Sequence, residues 1–155
     1  MTESTEDAQT QRWHRKFAVT CNNRAWKLSV QARTALQDRE LLDAAHTAAW
    51  HWERIGTELH RMRATTLLAE VHALLGMGPS ALQFAETVSV FFLGRATEDW
   101  ELALVHAVHA HAAHAAGRGA ERREFYARAA AALAVIAHEE DRKIVSDTFH
   151  LVPPP

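Results

Sequence analysis

The sequence predicts an all-α fold, built from about three antiparallel helix hairpins and a C-terminal capping helix. All six glycines lie at joints between apolar segments, so these helix-breaking residues stay out of the segment interiors. No useful length of chain alternates apolar and polar residues with the period of two expected of a strand. An internal repeat also links two pairs of segments, because Gly76 and Gly78 recur as Gly117 and Gly119 at an offset of 41 residues.

The first two helices are predicted over about residues 9–30 and 38–55. Apolar residues recur at helical spacing in the first helix, at Trp13, Phe17, Cys21 and Leu28. The stripe of the second helix consists of Leu41, Ala45, Ala48, Trp52 and Ile55. Both stripes are expected to face the core.

Local signals delimit the remaining helices. Gly56 ends the second helix and Thr57 is a candidate N-cap for a third, over about residues 58–75. Pro79 fits the first turn of a fourth, which reaches residue 93. Thr97 is a second candidate N-cap and precedes a fifth helix that ends at about residue 116. A sixth covers about residues 120–137, and a shorter, more polar seventh over about 139–149 suits a cap on the last apolar face.

These segments are expected to form a single helical domain over residues 9–150. The polar and acidic residues 1–8 are expected to be a disordered tail, and residues 151–155 a proline-rich tail.

The repeat unit carries a resemblance to known proteins. An "ALLG" turn followed by Pro79 and by Ala81, Leu82 and Ala85 resembles the tetratricopeptide class of helical repeats, although the unit is longer than the usual repeat and the full signature is absent. The stretches "AAHTAAWHWERIGTELHRMRA", "VHALLGMGPSALQFA" and "EDWELALVHA" resemble an uncharacterised family of bacterial helical-repeat proteins, over roughly Leu41 to Gly117. The resemblance implies a tetratricopeptide-like stack and leaves the activity open.

Composition excludes several classes of function. A net charge of −2 and scattered arginines argue against nucleic acid as a partner. The longest apolar stretches are too short to span a membrane, and the polar, acidic start does not resemble a signal peptide. Cys21 is the only cysteine, so it has no internal disulfide partner. We therefore expect a cytoplasmic protein with no membrane association and no cofactor.

Eleven histidines are the compositional oddity, and four of them lie in "HAVHAHAAHAAG". At about 100° per residue, His106 and His109 share one side of the helix, whereas His111 and His114 are rotated well away from them. All four cannot bind one metal ion. In the repeat alignment, His109 and His114 take the places of Leu68 and Ala73, which favours packing for these two. His106 and His111 take the places of polar residues, which favours a groove or a hydrogen-bonded junction.

Two function hypotheses follow. The first is a non-catalytic interaction module that binds a protein or peptide segment, or a second copy of itself as a homodimer. Its candidate groove residues are Asn22, Arg24, His46, Trp50, Arg63, Glu70, His106 and His111. The alternative is an enzyme or sensor that binds a metal or small molecule through His46, His72, His106 and His111.

Overall fold

The computed structural model describes the backbone of residues 2–155 and the side chains from residue 5 onward, and within this range the chain is all-α. No strand occurs in the described residues, which confirms the all-α part of the prediction. The helices are α1 (Thr2–Ser29), α2 (Ala35–Ile55), α3 (Glu58–Leu74), α4 (Gly78–Leu93), α5 (Asp99–Ala115), α6 (Gly119–Ala134) and α7 (Glu139–Phe149). Among them, none is both long and apolar enough to span a membrane.

The chain divides into two compact units, Met1–Leu68 and Ala69–Pro155. The boundary falls within α3. We describe each unit by itself. The single domain expected over residues 9–150 stays a prediction.

In the first unit, α1 packs against α2. This first helix begins at Thr2, earlier than the start predicted at about residue 9. Glu6 and Asp7 lie near the N-terminus of α1, where a negative charge interacts favourably with the helix dipole. The buried residues of α1 are Ala18, Ala25, Leu28 and Ser29.

The second helix begins with a capping box. The Thr34 side chain accepts from the Gln37 backbone N–H, and the Gln37 side chain accepts from the Thr34 backbone N–H. The apolar stripe of α2 is largely confirmed, because Leu41, Ala45, Ala48 and Trp52 are buried and Ile55 is half-buried.

Gly56 joins α2 to α3, and the residues on its two sides are in close contact. The ring of Trp52 stacks on His60 with centroids 4.4 Å apart and planes 6° apart. A Cβ at Gly56 would lie 2.6 Å from the Trp52 carbonyl oxygen, so glycine is the residue that fits this approach.

The repeat predicted from the glycines has matching helix lengths. The helices α3 and α5 both have 17 residues, and α4 and α6 both have 16. Each hairpin turns on a glycine with positive φ, 72° at Gly76 and 71° at Gly117. At both turns the N–H of this glycine and that of the next residue bond back to the preceding helix, which is a Schellman motif.

The second unit is organised around α5, which packs against α4, α6 and α7. All ten residues from Ala103 to Ala112 are buried, so no side of the helix there is solvated. Near the C-terminus, Val152 is 2% exposed and packs with Ala110 and Phe125.

Candidate functional site

The first unit carries three exposed aromatic side chains close together. Trp13 is 47% exposed, Phe17 is 43% exposed and Trp50 is 51% exposed. We call the surface formed by Trp13, His14, Phe17, Trp50 and His51 the aromatic surface. Large aromatic side chains are usually buried, so a group of them in contact with water is typical of a binding surface.

Ring contacts hold the aromatic surface together. Trp13 and Phe17 lie one turn apart on α1 and stack with centroids 5.7 Å apart. On α2, Trp50 and His51 make an edge contact at 4.9 Å. His14 bridges the two helices, since its ring lies 5.7 Å from Trp50 and 5.0 Å from His51. These contacts limit side-chain motion before any partner arrives, which lowers the entropy cost of binding.

Two histidines form a direct hydrogen bond inside this surface. The Nδ1 atoms of His14 and His51 are 2.7 Å apart. At least one ring is therefore neutral, because a cationic imidazole has no nitrogen left to accept. Burial lowers the pKa of His51, and the nearby charges of His14 and Arg54 lower it further. The lowered pKa favours His51 as the neutral ring of the pair.

Cations border the aromatic surface. The guanidinium of Arg54 lies 3.1 Å from the centroid of the Trp50 ring and donates to the Trp50 carbonyl oxygen at 2.7 Å. The Lys16 ammonium lies 4.9 Å from the centroid of Trp13.

Next to these residues, a cavity of about 530 Å³ lies between α1 and the end of α2. We call it the arginine cavity. Its lining consists of Ala8, Gln11, Arg12, Arg15, Arg54, Ile55 and Gly56. Three of these residues are cationic and none is acidic.

The second unit contains a different polar feature, a row of buried histidines on α5. His109 is 3% exposed and both of its ring nitrogens are bonded. Its Nδ1 lies 2.6 Å from Ser89 Oγ, and its Nε2 lies 2.7 Å from a carboxylate oxygen of Glu121. The ring stacks on Phe125 with centroids 3.6 Å apart and planes 2° apart. These contacts confirm the packing role predicted for His109.

Ser89 contacts His109, which in turn contacts Glu121, and these three residue types make up one form of nucleophilic triad. Two features argue for a structural role instead. Ser89 is 6% exposed, so a substrate carbonyl has no access to its oxygen. It also lies inside α4, where neighbouring backbone N–H groups serve the helix and supply no oxyanion hole. The trio thus satisfies the polar groups of a packed helix.

A buried ion pair joins α3 to α5. The Nδ1 atom of His111 lies 3.0 Å and 3.1 Å from the two carboxylate oxygens of Glu70. Glu70 is 0% exposed and His111 is 5% exposed. Burial by itself lowers the pKa of His111, but the charge and hydrogen bonds of Glu70 outweigh it, and the pKa is raised. The structure therefore places His111 at a hydrogen-bonded junction.

The two remaining histidines of α5 differ in environment. His106 is 7% exposed, and its Nδ1 has no hydrogen-bond partner among the described residues. Burial, with the charges of Arg128 and His109, lowers the pKa of His106 to about 4, so the ring is neutral at pH 7. His114 is exposed and its Nδ1 lies 2.9 Å from the Arg122 guanidinium. The packing role predicted for His114 is wrong, because α5 emerges from the core in its last turn.

The other predicted groove residues are spread over the first unit. Asn22 is half-buried and donates only to Asn23, at 3.4 Å. Arg24 forms a two-point salt bridge with Glu40 at 2.6 Å and 3.0 Å. Arg63 is half-buried. His46 is exposed one turn before Trp50, which belongs to the aromatic surface.

The predicted metal ligands have separate environments. His72 is buried with its ring 5.2 Å from Phe84. His106 lies beside Phe125, and His111 is bonded to Glu70. In the described part of the chain, no group of three or more His, Cys, Asp or Glu side chains is placed to hold a metal ion.

Sequence reasoning assigned Trp13 and Phe17 to the core and selected Trp50 as a groove residue, but it did not select His14 and His51. The available signal was "RWHRKF", residues 12–17, in which basic and aromatic residues alternate with no aliphatic residue between them. A helix that buries its aromatic stripe does not normally place cations on both sides of it.

Comparisons with known proteins add no relationship. We found no family model, curated protein or solved structure with significant similarity to the chain. The functional argument therefore rests on the geometry of the site.

Proposed function

We propose that the chain is a protein-binding module whose contact site is the aromatic surface. The observation that carries this proposal is the joint exposure of Trp13, Phe17 and Trp50, each more than two fifths accessible to water and each in contact with another ring. Tryptophan and arginine dominate the residues that supply binding energy in protein interfaces. Removal of one such anchor typically costs about 2 kcal/mol or more of binding free energy.

The scaffold supports the same function. We propose that the two hairpins α3–α4 and α5–α6 are tetratricopeptide-like repeat units, supported by their equal helix lengths and equivalent glycine turns. Repeat proteins of this kind present extended surfaces for other polypeptides. The buried His109 and His111 of α5 are bonded within the second unit, which leaves the aromatic surface as the better candidate for contact with a partner.

Site-specific photo-crosslinking tests the proposal. A benzophenone amino acid replaces Trp50 or Trp13 in the full chain, expressed in cells of the native host. We expect irradiation to give a discrete crosslinked product from both positions. The matched control is the same amino acid at Val90, which is 80% exposed in the second unit and lies outside the aromatic surface.

Circular dichroism of each variant shows whether the helical fold is retained. A folded protein that gives no product at Trp13 and Trp50 beyond that at Val90 would contradict the proposed function. A product with a second copy of the chain and a product with another protein both support it, and mass spectrometry distinguishes them.

A further inference from the structure

The charges beside the aromatic surface indicate the chemistry of its partner. Arg12 and Arg15 form no ion pair with another residue that the structure describes, and Arg54 is bonded to a backbone carbonyl. Glu53, which precedes Arg54 in the chain, has its carboxylate 4.0 Å from the guanidinium of Arg61. The arginine cavity thus contains three positive charges, none of which forms an ion pair with a carboxylate that the structure describes.

From this arrangement we infer that the partner is an acidic protein segment. Its carboxylates bind in the arginine cavity while an apolar side chain next to them packs on Trp50, whose ring Arg54 contacts. A guanidinium can donate two parallel hydrogen bonds to a carboxylate, so arginines suit this ligand better than lysines would. The inference rests on the proposed function, because it names the partner class for the same surface.

Charge also argues against a second copy of the chain in a symmetric contact. A two-fold contact centred on the aromatic surface brings Lys16 and Arg54, which lie over the Trp13 and Trp50 rings, close to the same two residues of the other copy. Like charges facing each other in an interface cost several kcal/mol. A partner of opposite charge removes this repulsion and gains attraction.

Extended polyanions fit less well than a short acidic segment. Glu6 and Asp7 precede the basic residues on α1, and Glu53 adjoins Arg54 on α2, and all three are exposed. A nucleic acid or an anionic membrane would extend past the cavity over these carboxylates. A short peptide segment covers less of the surface around the cavity and therefore meets less of this repulsion.

Fluorescence anisotropy with a defined probe tests this inference. The probe is a fluorescein-labelled peptide of sequence Glu-Glu-Phe-Glu-Glu-Phe-Glu-Glu, and its uncharged counterpart has glutamine at every glutamate. We expect the acidic peptide to bind the full chain and the glutamine peptide to bind at least about tenfold more weakly. The double variant Arg12→Gln/Arg15→Gln should weaken binding of the acidic peptide by about tenfold or more, since two charge-assisted contacts are lost.

A charge-matched control separates the site from net charge. Arg118 and Arg123 are exposed in the second unit, and Arg118→Gln/Arg123→Gln changes the net charge by the same amount. We expect this control to bind the acidic peptide within about threefold of wild type. Equal losses in the two double variants, or no binding of the acidic peptide, would overturn the inference.

Three further measurements test whether another kind of molecule binds this surface. Tighter binding of phosphatidylserine vesicles or of an oligonucleotide, with the same dependence on Arg12 and Arg15, would replace the acidic protein segment with that class. Light scattering that shows a wild-type dimer lost on Trp50→Ser would assign the surface to a second copy. If the photo-crosslinks from Trp50 to a partner are unchanged in Arg12→Gln/Arg15→Gln, the proposed function is upheld. Only the inference that the partner is acidic is then refuted.

Discussion

Acid should destabilise this protein partly through His106, and the substitution His106→Leu should remove that part. The imidazole is buried beside Phe125 with one ring nitrogen unbonded. Its folded-state pKa is lowered to about 4 from the ordinary value of 6.5. A protonated ring is thus tolerated in the unfolded chain but not in the folded one.

The magnitude follows from linkage. A lowered histidine pKa means that the unfolded state binds the extra proton first, so stability is fully present above about pH 6.5 and falls as pH drops toward 4. A shift of one pKa unit is worth about 1.4 kcal/mol. The difference between the two pKa values therefore corresponds to about 3 kcal/mol in full, of which about 2 kcal/mol is lost between pH 7 and pH 5.

Urea unfolding followed by circular dichroism at pH 7 and pH 5 measures this effect. Wild type and His106→Leu are compared with His150→Leu, which changes an exposed histidine. We expect His106→Leu to lose about 2 kcal/mol less than wild type on going from pH 7 to pH 5. Because leucine also removes the unbonded nitrogen, the variant should be no less stable at pH 7. Equal acid sensitivity of wild type and His106→Leu would refute the reasoning.

Three other outcomes are expected. Glu70→Gln should destabilise the fold by about 3 kcal/mol because it leaves a buried cation without its carboxylate. It should also remove a stability contribution of His111 that in wild type is present below pH 6.5 and is lost as pH rises through the raised pKa, which unfolding midpoints across pH 6 to 9 would show. Gly78→Ala should cost about 1–3 kcal/mol, since the added Cβ overlaps a backbone carbonyl of α5, whereas Gly119→Ala at the equivalent place meets only an arginine tip at 3.7 Å and should be nearly neutral in thermal unfolding. Ser89→Ala should cost about 1 kcal/mol in urea unfolding by removing a buried hydrogen bond, and a larger loss would show that the bond supports more of the unit.

Much of the fold could be predicted from the glycines at which helices end. Gly76 and Gly117 are the only residues with positive φ in the described chain, and their spacing predicted two equivalent hairpins. Such turns depend on one residue and its immediate neighbours, so local sequence contains the necessary information. The tetratricopeptide-like arrangement of the hairpins depends on long-range packing and stays a prediction.

The aromatic residues of α1 show where local pattern fails. Trp13 and Phe17 have helical spacing with Leu28, but only Leu28 is buried. Spacing identifies which side chains share a face, whereas burial depends on whether another element covers that part of the face. Ala18 and Ala25 turned out to face α2, and alanine gives a weak signal in any hydrophobic pattern.

The histidine partners were beyond sequence reasoning for a related reason. Glu70 and His111 were both selected as groove residues, yet their contact with each other depends on how α3 and α5 pack. Ser89 and Glu121 were not selected at all, because nothing in their own neighbourhoods marks them as partners of His109.

The separation of 41 residues between Glu70 and His111 has a consequence for folding accuracy. Five of the twelve buried residues of α5 are alanines, and such small side chains offer little shape to prevent one helix from sliding along another by a turn. A slip of this kind would bury a carboxylate and an imidazolium without partners, at a cost of several kcal/mol. The Glu70–His111 pair therefore favours one alignment of α3 against α5 among those that hydrophobic burial alone would accept.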